Sequence, residues 1–239
     1  MLRSIFLLPI LLIGACTPPE VMRAPLPNDP YEASNRRAHE FNKRVDSAVL
    51  RPLSGGSGEI IPKRARNGIS NFAANLSLPG IVVNDVLQGK VGDGLHNTFR
   101  FLINSTFGLG GLNDVAGEAG VDERYTNFGQ TLAVWGAPEG AYLEVPFKGP
   151  TTEREWIGTV VDVAIDPAYW LLNRKQRRWL WAARIVSVSD DRTTYGQTYD
   201  SILYDSSDSY AATRDLYLQN LAYSLGETSD DDYIDPYAD

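Results

Sequence analysis

The sequence predicts a mostly α fold with short irregular loops and little or no β. Apolar residues recur three or four apart through most of residues 31–225, and no run alternates apolar with polar over the length of a strand. A further observation concerns environment. Residues 101–113 are the least polar run after the leader and carry no charge. A spanning helix needs about 20 apolar residues, so this run is too short to cross a bilayer. Gly108, Gly110 and Gly111 would stop a helix near its end. Two readings fit: a helix–turn–helix block that enters a membrane surface without crossing it, or an ordinary buried helix followed by a glycine-rich turn.

Each element can be justified in order. Residues 1–15 read as an exported leader, with Arg3 ahead of a nine-residue apolar stretch, 5–13, and then small residues. Ile13-Gly14-Ala15-Cys16 resembles a bacterial lipobox, which marks Cys16, the sole cysteine, as the lipid anchor. Stable anchoring takes two acyl signals, and a triacylated cysteine meets that requirement. Thr17 behind it fits sorting to the outer membrane. Residues 16–30 carry five prolines and form a tether. The main helical domain is expected over 31–225. Tyr31, Ala38, Phe41 and Val45 make one helical stripe, ended by Pro52, and residues 53–62 form a loop. Ala65, Ile69, Phe72 and Leu76 define a second helix, broken by Pro79-Gly80. A short third helix runs from Ile81 to Gln88, stopped by Gly89, and Val91, Leu95, Phe99 and Leu102 define a fourth that runs into the glycine turn.

Residues 113–128 are polar and irregular. Gly and Pro punctuation across 129–150 forbids one long helix, leaving an extended piece at 141–145 and a helical turn at 132–135. Residues 153–165 are helical, with Trp156, Val160 and Val163 on one side and Asp166-Pro167 as the stop. In 169–181, Trp170, Trp179 and Trp181 flank Arg174, Lys175, Arg177 and Arg178. This mixture suits a membrane–water interface, and it equally suits a helix that buries its rings and shows its cations to water. Helical spacing resumes over 182–203, and a last helix covers 207–225. The final residues, 226–239, are acidic and poor in large apolar side chains, a composition that does not fold alone.

The formal charge of −8 argues against nucleic-acid binding, and much of it lies in that tail. His39 and His96 lie in no H-E-x-x-H, and with a single cysteine no zinc set forms. There is no nucleophile elbow, Walker loop or dinucleotide fingerprint. No catalytic residue, metal or cofactor is therefore expected.

One ordered set of motifs remains: Asp29-Pro30-x-Glu32, Asn35-Arg36, Phe41-Asn42, Arg51-Pro52, Arg66-Asn67-Gly68-x-Ser70-Asn71-Phe72, Leu87-Gln88-Gly89, Thr98-x-Arg100-Phe101, Asn104-Ser105-Thr106-x-Gly108-x-Gly110-Gly111, Phe128-Gly129-Gln130-Thr131-Leu132, Trp135-Gly136, Gly140-x-Tyr142, Pro146 and Gly149-Pro150. Across residues 29–170 this resembles the MlaA (VacJ) family of outer-membrane lipoproteins. It departs from the family in reading Glu32-Ala33-Ser34-Asn35-Arg36 and in the Gly/Ser-rich residues 54–58. The resemblance implies a ring of helices lying in the periplasmic leaflet of the outer membrane. An amphipathic channel through it would take phospholipid strayed to the outer leaflet and pass it to a soluble periplasmic carrier of the Mla type. It also implies binding to a trimeric outer-membrane porin.

The residues this implies are Phe41, Asn42, Gly136, Gly140, Tyr142 and Pro146 as channel or gate candidates. Phe99, Phe101, Leu102, Ile103, Phe107 and Leu109 are the membrane-embedded candidates. Arg100 joins Trp170, Arg174, Arg177, Arg178, Trp179 and Trp181 at headgroup level. Two other functions stay open: a structural lipoprotein that clamps a porin, and a membrane-anchored lipid hydrolase using His39 or His96.

Overall fold

A computed structural model describes residues 28–56 and 62–226. The leader, Cys16, most of the tether and the acidic tail therefore lie outside the described residues. Helix α1 (Glu32–Val45) runs into wide π-type turns at Asp46–Leu50 and Pro52–Gly56, so Pro52 does not end the helical path. Helix α2 (Lys63–Leu87) passes through Pro79, where the sequence predicts a break. A proline there lacks the N–H that would bond one carbonyl. Leu78 and Ile81, both almost fully buried, pack α2 on either side of it, and that burial outweighs the missing bond. Gly89, in the left-handed region, stops α2 as expected. Helix α3 (Val91–Thr106) follows and packs along α2.

A single helical turn, α4 (Val115–Glu118), and α5 (Phe128–Val134) lead to an antiparallel hairpin, β1 (Tyr142–Val145) and β2 (Gly149–Thr152). Helix α6 (Glu153–Ile165) starts on the Thr152 cap, whose hydroxyl accepts from the Glu155 N–H. Pro167 both ends α6 and opens α7 (Pro167–Leu171). Asn173 and Gln176 form a capping box for α8 (Arg174–Thr194). The single helical stretch expected over 182–203 is divided instead. Helix α8 stops at Tyr195, and α9 (Gly196–Asp200) and a π turn (Ser201–Asp205) follow before α10 (Ser209–Ser224).

The packing closes on itself. Helix α2 lies on α8, α8 on the π turns after α1, α1 on β1, β2 on α6, α6 on α5, and α5 back on α2. The result is a ring of helices with one short hairpin set into its wall. Polar ties close the seams. Arg192 of α8 grips Asp46 with Nε at 3.0 Å and Nη2 at 3.3 Å, and the Tyr204 hydroxyl donates to the same carboxylate at 2.8 Å. The first described residues are tied in as well: Asp29 accepts from Asn35, Tyr210 and Arg214.

The α5–α6 contact depends on two glycines. A Cβ on Gly158 would collide with the backbone of Gly129, and no flexible side-chain end is there to yield. Gly158→Ala should lower stability by about 1–3 kcal/mol as an overpacked contact, read as a fall in melting temperature in detergent. Gly92→Ala, in open space on α3, should leave stability unchanged or raise it by up to about 1 kcal/mol.

Candidate functional site: a lumen inside an inverted ring

Helix α3 is inside out. Val91, Leu95, Phe99 and Leu102 face away from the protein, with Leu95 67% and Phe99 56% exposed. Gly94, Asn97, Arg100 and Asn104 face inward and are buried. Both stripes keep the three-four spacing of one helix, so the pattern is amphipathic with its sense reversed. Helix α6 repeats it: Ile157 and Val160 are exposed, whereas Glu155, Thr159 and Asp162 turn inward.

Most of the buried polar row of α3 is paired, with α2 and with the segment beyond α3; Arg100 Nε alone among its side-chain donors is buried without an acceptor among the described residues. Asn97 donates to Asp85 Oδ2 at 2.8 Å and to the Arg124 carbonyl at 2.9 Å. Arg100 binds Asp114 at 2.6 Å and also donates to the Val121 carbonyl. Asn104 donates to Asp114 Oδ1 at 2.8 Å and accepts from Ala116 N–H. Burial works against ionisation of Asp114, but bonds from Asn104, the Gly117 N–H and Arg100 outweigh it and hold the carboxyl below its ordinary value.

Among the described residues, elements of the ring line a pair of adjoining cavities. The first, about 560 Å³, is lined mostly by apolar and aromatic side chains, including Val45, Leu50, Tyr199, Ile202 and Leu216, and also by His39, Asn42 and Glu144. The second, about 550 Å³, is lined by Asn84, Glu123, Glu155, Thr159, Asp162, Asp166 and Arg184 among others. Lys148, Pro150 and Tyr217 line both, so the two chambers meet at the hairpin turn and α10. Desolvation raises the carboxyls of Glu155 and Asp162 and lowers the Lys148 ammonium, while the carboxylates of Glu155 and Asp162 support its charge.

Among the channel candidates, Asn42 lines the apolar chamber. It donates to Glu144 Oε1 and to the Val145 carbonyl, each at 3.0 Å, and accepts from the Phe147 N–H at 2.8 Å. Phe41 packs edge-to-face on Phe147 with ring centroids 5.0 Å apart. Tyr142 is fully buried, its hydroxyl on Glu144 Oε2 at 2.7 Å, and lines neither chamber. Pro146 sits at the exposed hairpin turn, Gly136 ends α5, and Gly140 precedes β1 against Glu153; these three lie off both linings.

Of the membrane-embedded candidates, Phe99, Leu102, Phe107 and Leu109 are exposed, and Phe101 and Ile103 are half-buried. Trp170, Trp179 and Trp181 are exposed on the outer wall, as are Arg174 and Arg178, with Arg177 half-buried. Arg100 is a correction: placed at headgroup level by its position before an apolar run, it is 7% exposed and turned inward to Asp114. Its neighbours Phe99 and Leu102 occupy the outer stripe, which leaves the inner face to it.

His39, Ser209 and Glu144 fall in line, with Nε2 3.1 Å from Ser209 Oγ and Nδ1 3.6 Å from Glu144 Oε1. The imidazole is 2% exposed, Ser209 lines neither chamber, and Lys43 also reaches its hydroxyl. The row ties α1 to α10 and β1. Sequence reasoning missed Lys148, Glu155 and Asp162. The available signal was the spacing of Glu155, Thr159, Asp162 and Asp166 beside exposed Ile157 and Val160.

No helix among the described residues is long and apolar enough to cross a membrane. The fold and the lumen together define a class of helical protein that keeps its polar groups inside and its grease outside. Its sequence carries the same assignment: the model of the MlaA lipoprotein family matches residues 27–224, and the chain belongs to that family. The intermembrane phospholipid transport system lipoprotein MlaA of Escherichia coli (strain K12) is 35% identical over 80% of this chain and 76% of its own. That of Haemophilus influenzae is 32% identical over 84% of this chain and 80% of its own. A structure solved for the structural basis of bacterial outer membrane lipid asymmetry superposes with a TM-score of 0.69 at 33% identity. The match covers 82% of this chain and 98% of the other.

Asp114 contributes stability that is complete above its ordinary pKa of about 3.8 and is lost as pH falls through its lower folded value. Asp114→Asn should remove that acid-side dependence. It should also cost about 2–4 kcal/mol by leaving Arg100 buried without its partner, less than a fully buried pair because the aspartate keeps some solvent contact. Denaturant titrations of both proteins between pH 3 and 7 measure the difference.

Proposed function

We propose that the protein is an outer-membrane lipoprotein, anchored through Cys16, that takes mislocalised phospholipid from the outer leaflet through its lumen. It passes the lipid to a soluble periplasmic carrier and so maintains lipid asymmetry. The supporting observation is the inverted ring around two abutting chambers, one apolar and one polar. A glycerophospholipid needs both, one for its tails and one for its headgroup. The outward side chains of α3 and α6 suit immersion in a single leaflet, since nothing polar needs to leave water on that surface. Trp170, Trp179 and Trp181 beside Arg174, Arg177 and Arg178 suit the level of the headgroups. The names of the similar proteins point the same way. Among the described residues no group in the lumen supplies energy, and we assign direction to partners. A trimeric porin is the partner we assign to the outer wall, and it would hold the ring in place.

Mass spectrometry of lipid carried through purification, paired with an assay of outer-leaflet phospholipid in a deletion strain, tests this. Bound phospholipid and raised outer-leaflet phospholipid are expected; an empty protein and normal asymmetry would leave only the porin clamp. Phe99→Asp should keep the helical content. In lipid it costs about 2–3 kcal/mol, so vesicle binding of protein lacking its acyl chains should fall at least about tenfold.

A further inference from the structure

The polar chamber carries information about the headgroup, and the argument rests on the conduit reading above. Its charges do not cancel. Arg184 is taken up by Asp166 at 3.3 Å. Asp162 is engaged by the Phe128 N–H at 3.1 Å and by Asn84 at 2.8 Å. Lys148 lines the chamber with its ammonium in no hydrogen bond or ion pair among the described residues. Glu155 supports its charge, and Glu123, from the loop before α5, lines the same chamber. Glu155 is 7% exposed; its Oε2 accepts from Asn127 at 3.0 Å, while Oε1 is buried with no donor.

We infer that this chamber selects a zwitterionic headgroup carrying a primary amine, with its phosphate on Lys148 and its ammonium on Glu155. Lys148 is the one cation left for a phosphate among the described residues of this lining. Glu155 Oε1 lacks a donor and lies against Gly129 of α5; an ammonium that opens that contact would supply the missing bond, and hydrogen bonds to charged groups are the strong ones. A trimethylammonium has no N–H to give that oxygen. A phosphoglycerol headgroup brings a net negative charge into a chamber where carboxylates already outnumber cations. The order is therefore ethanolamine over choline, and either over glycerol.

The test uses the full lipidated chain in detergent, mixed with vesicles of equal parts phosphatidylethanolamine, phosphatidylcholine and phosphatidylglycerol. Captured lipid is counted by mass spectrometry. Phosphatidylethanolamine should exceed phosphatidylcholine by about tenfold, the worth of one charged hydrogen bond. Glu155→Gln should bring that ratio close to the vesicle's, and Lys148→Met should lower capture of all three lipids. Should Glu155→Gln fail to fold by circular dichroism, Glu123→Gln serves. Glu123 is an exposed loop residue without a side-chain hydrogen bond, and its neutralisation should raise phosphatidylglycerol severalfold relative to phosphatidylethanolamine. Capture in the vesicle's own ratio, or ratios unmoved by the glutamine variants, overturns the headgroup inference and leaves the conduit standing. No captured lipid at all overturns both.

Discussion

The inner stripe of α3 sets the terms for the rest of the molecule. Asn97, Arg100 and Asn104 are buried, and each needs partners that a bundle of apolar helices cannot give. They find them in Asp85, in Asp114 and in the backbone of the segment that follows the glycine turn. That segment is folded back against the helix because its carbonyls and carboxylate complete the stripe. A buried group left without a partner costs about 1–3 kcal/mol; Arg100 Nε already carries that cost, and losing Asp114 would add to it. With the polar face spent inward, the apolar face has only the outside left.

The same constraint explains how the ring stays open. An ordinary helical bundle collapses until its apolar faces meet. On α3 and α6 those faces point away from the centre, and directional contacts help join the walls: Arg192 with Asp46, Asn84 with Asp162, the glycine pair between α5 and α6. Such contacts fix distance as well as attraction. The lumen persists because closing it would bury Lys148, Glu155 and Asp162 further than their charges allow.

Element type was largely legible, because period 3.6 survives reversal of the helix: α3, α6 and α10 fall where the apolar spacing puts them. Boundaries at Pro79 and Pro52 were not, since tertiary packing across α2 and the π turns overrides a local preference. The sense of each face was harder still. Spacing alone does not say whether a stripe looks at lipid or at a core, so Arg100 was assigned to the wrong side of its helix. The lumen was read from family likeness at Asn42, whereas Lys148 sits in a turn that carries no periodic signal, and the polar spacing of Glu155, Thr159 and Asp162 does not by itself say that this stripe faces inward.

The hairpin turn has a mechanical consequence. Asn42 holds the Phe147 N–H and the Val145 carbonyl, while Phe41 leans on the Phe147 ring, so the residue just before Lys148 is gripped by α1. Phe147 is itself in the left-handed region, a costly conformation for a bulky side chain that only such a clasp sustains. The lumen's ammonium is thereby carried on a lever whose other arm is the first helix. A push on α1 from outside the ring would be felt at the junction of the two chambers.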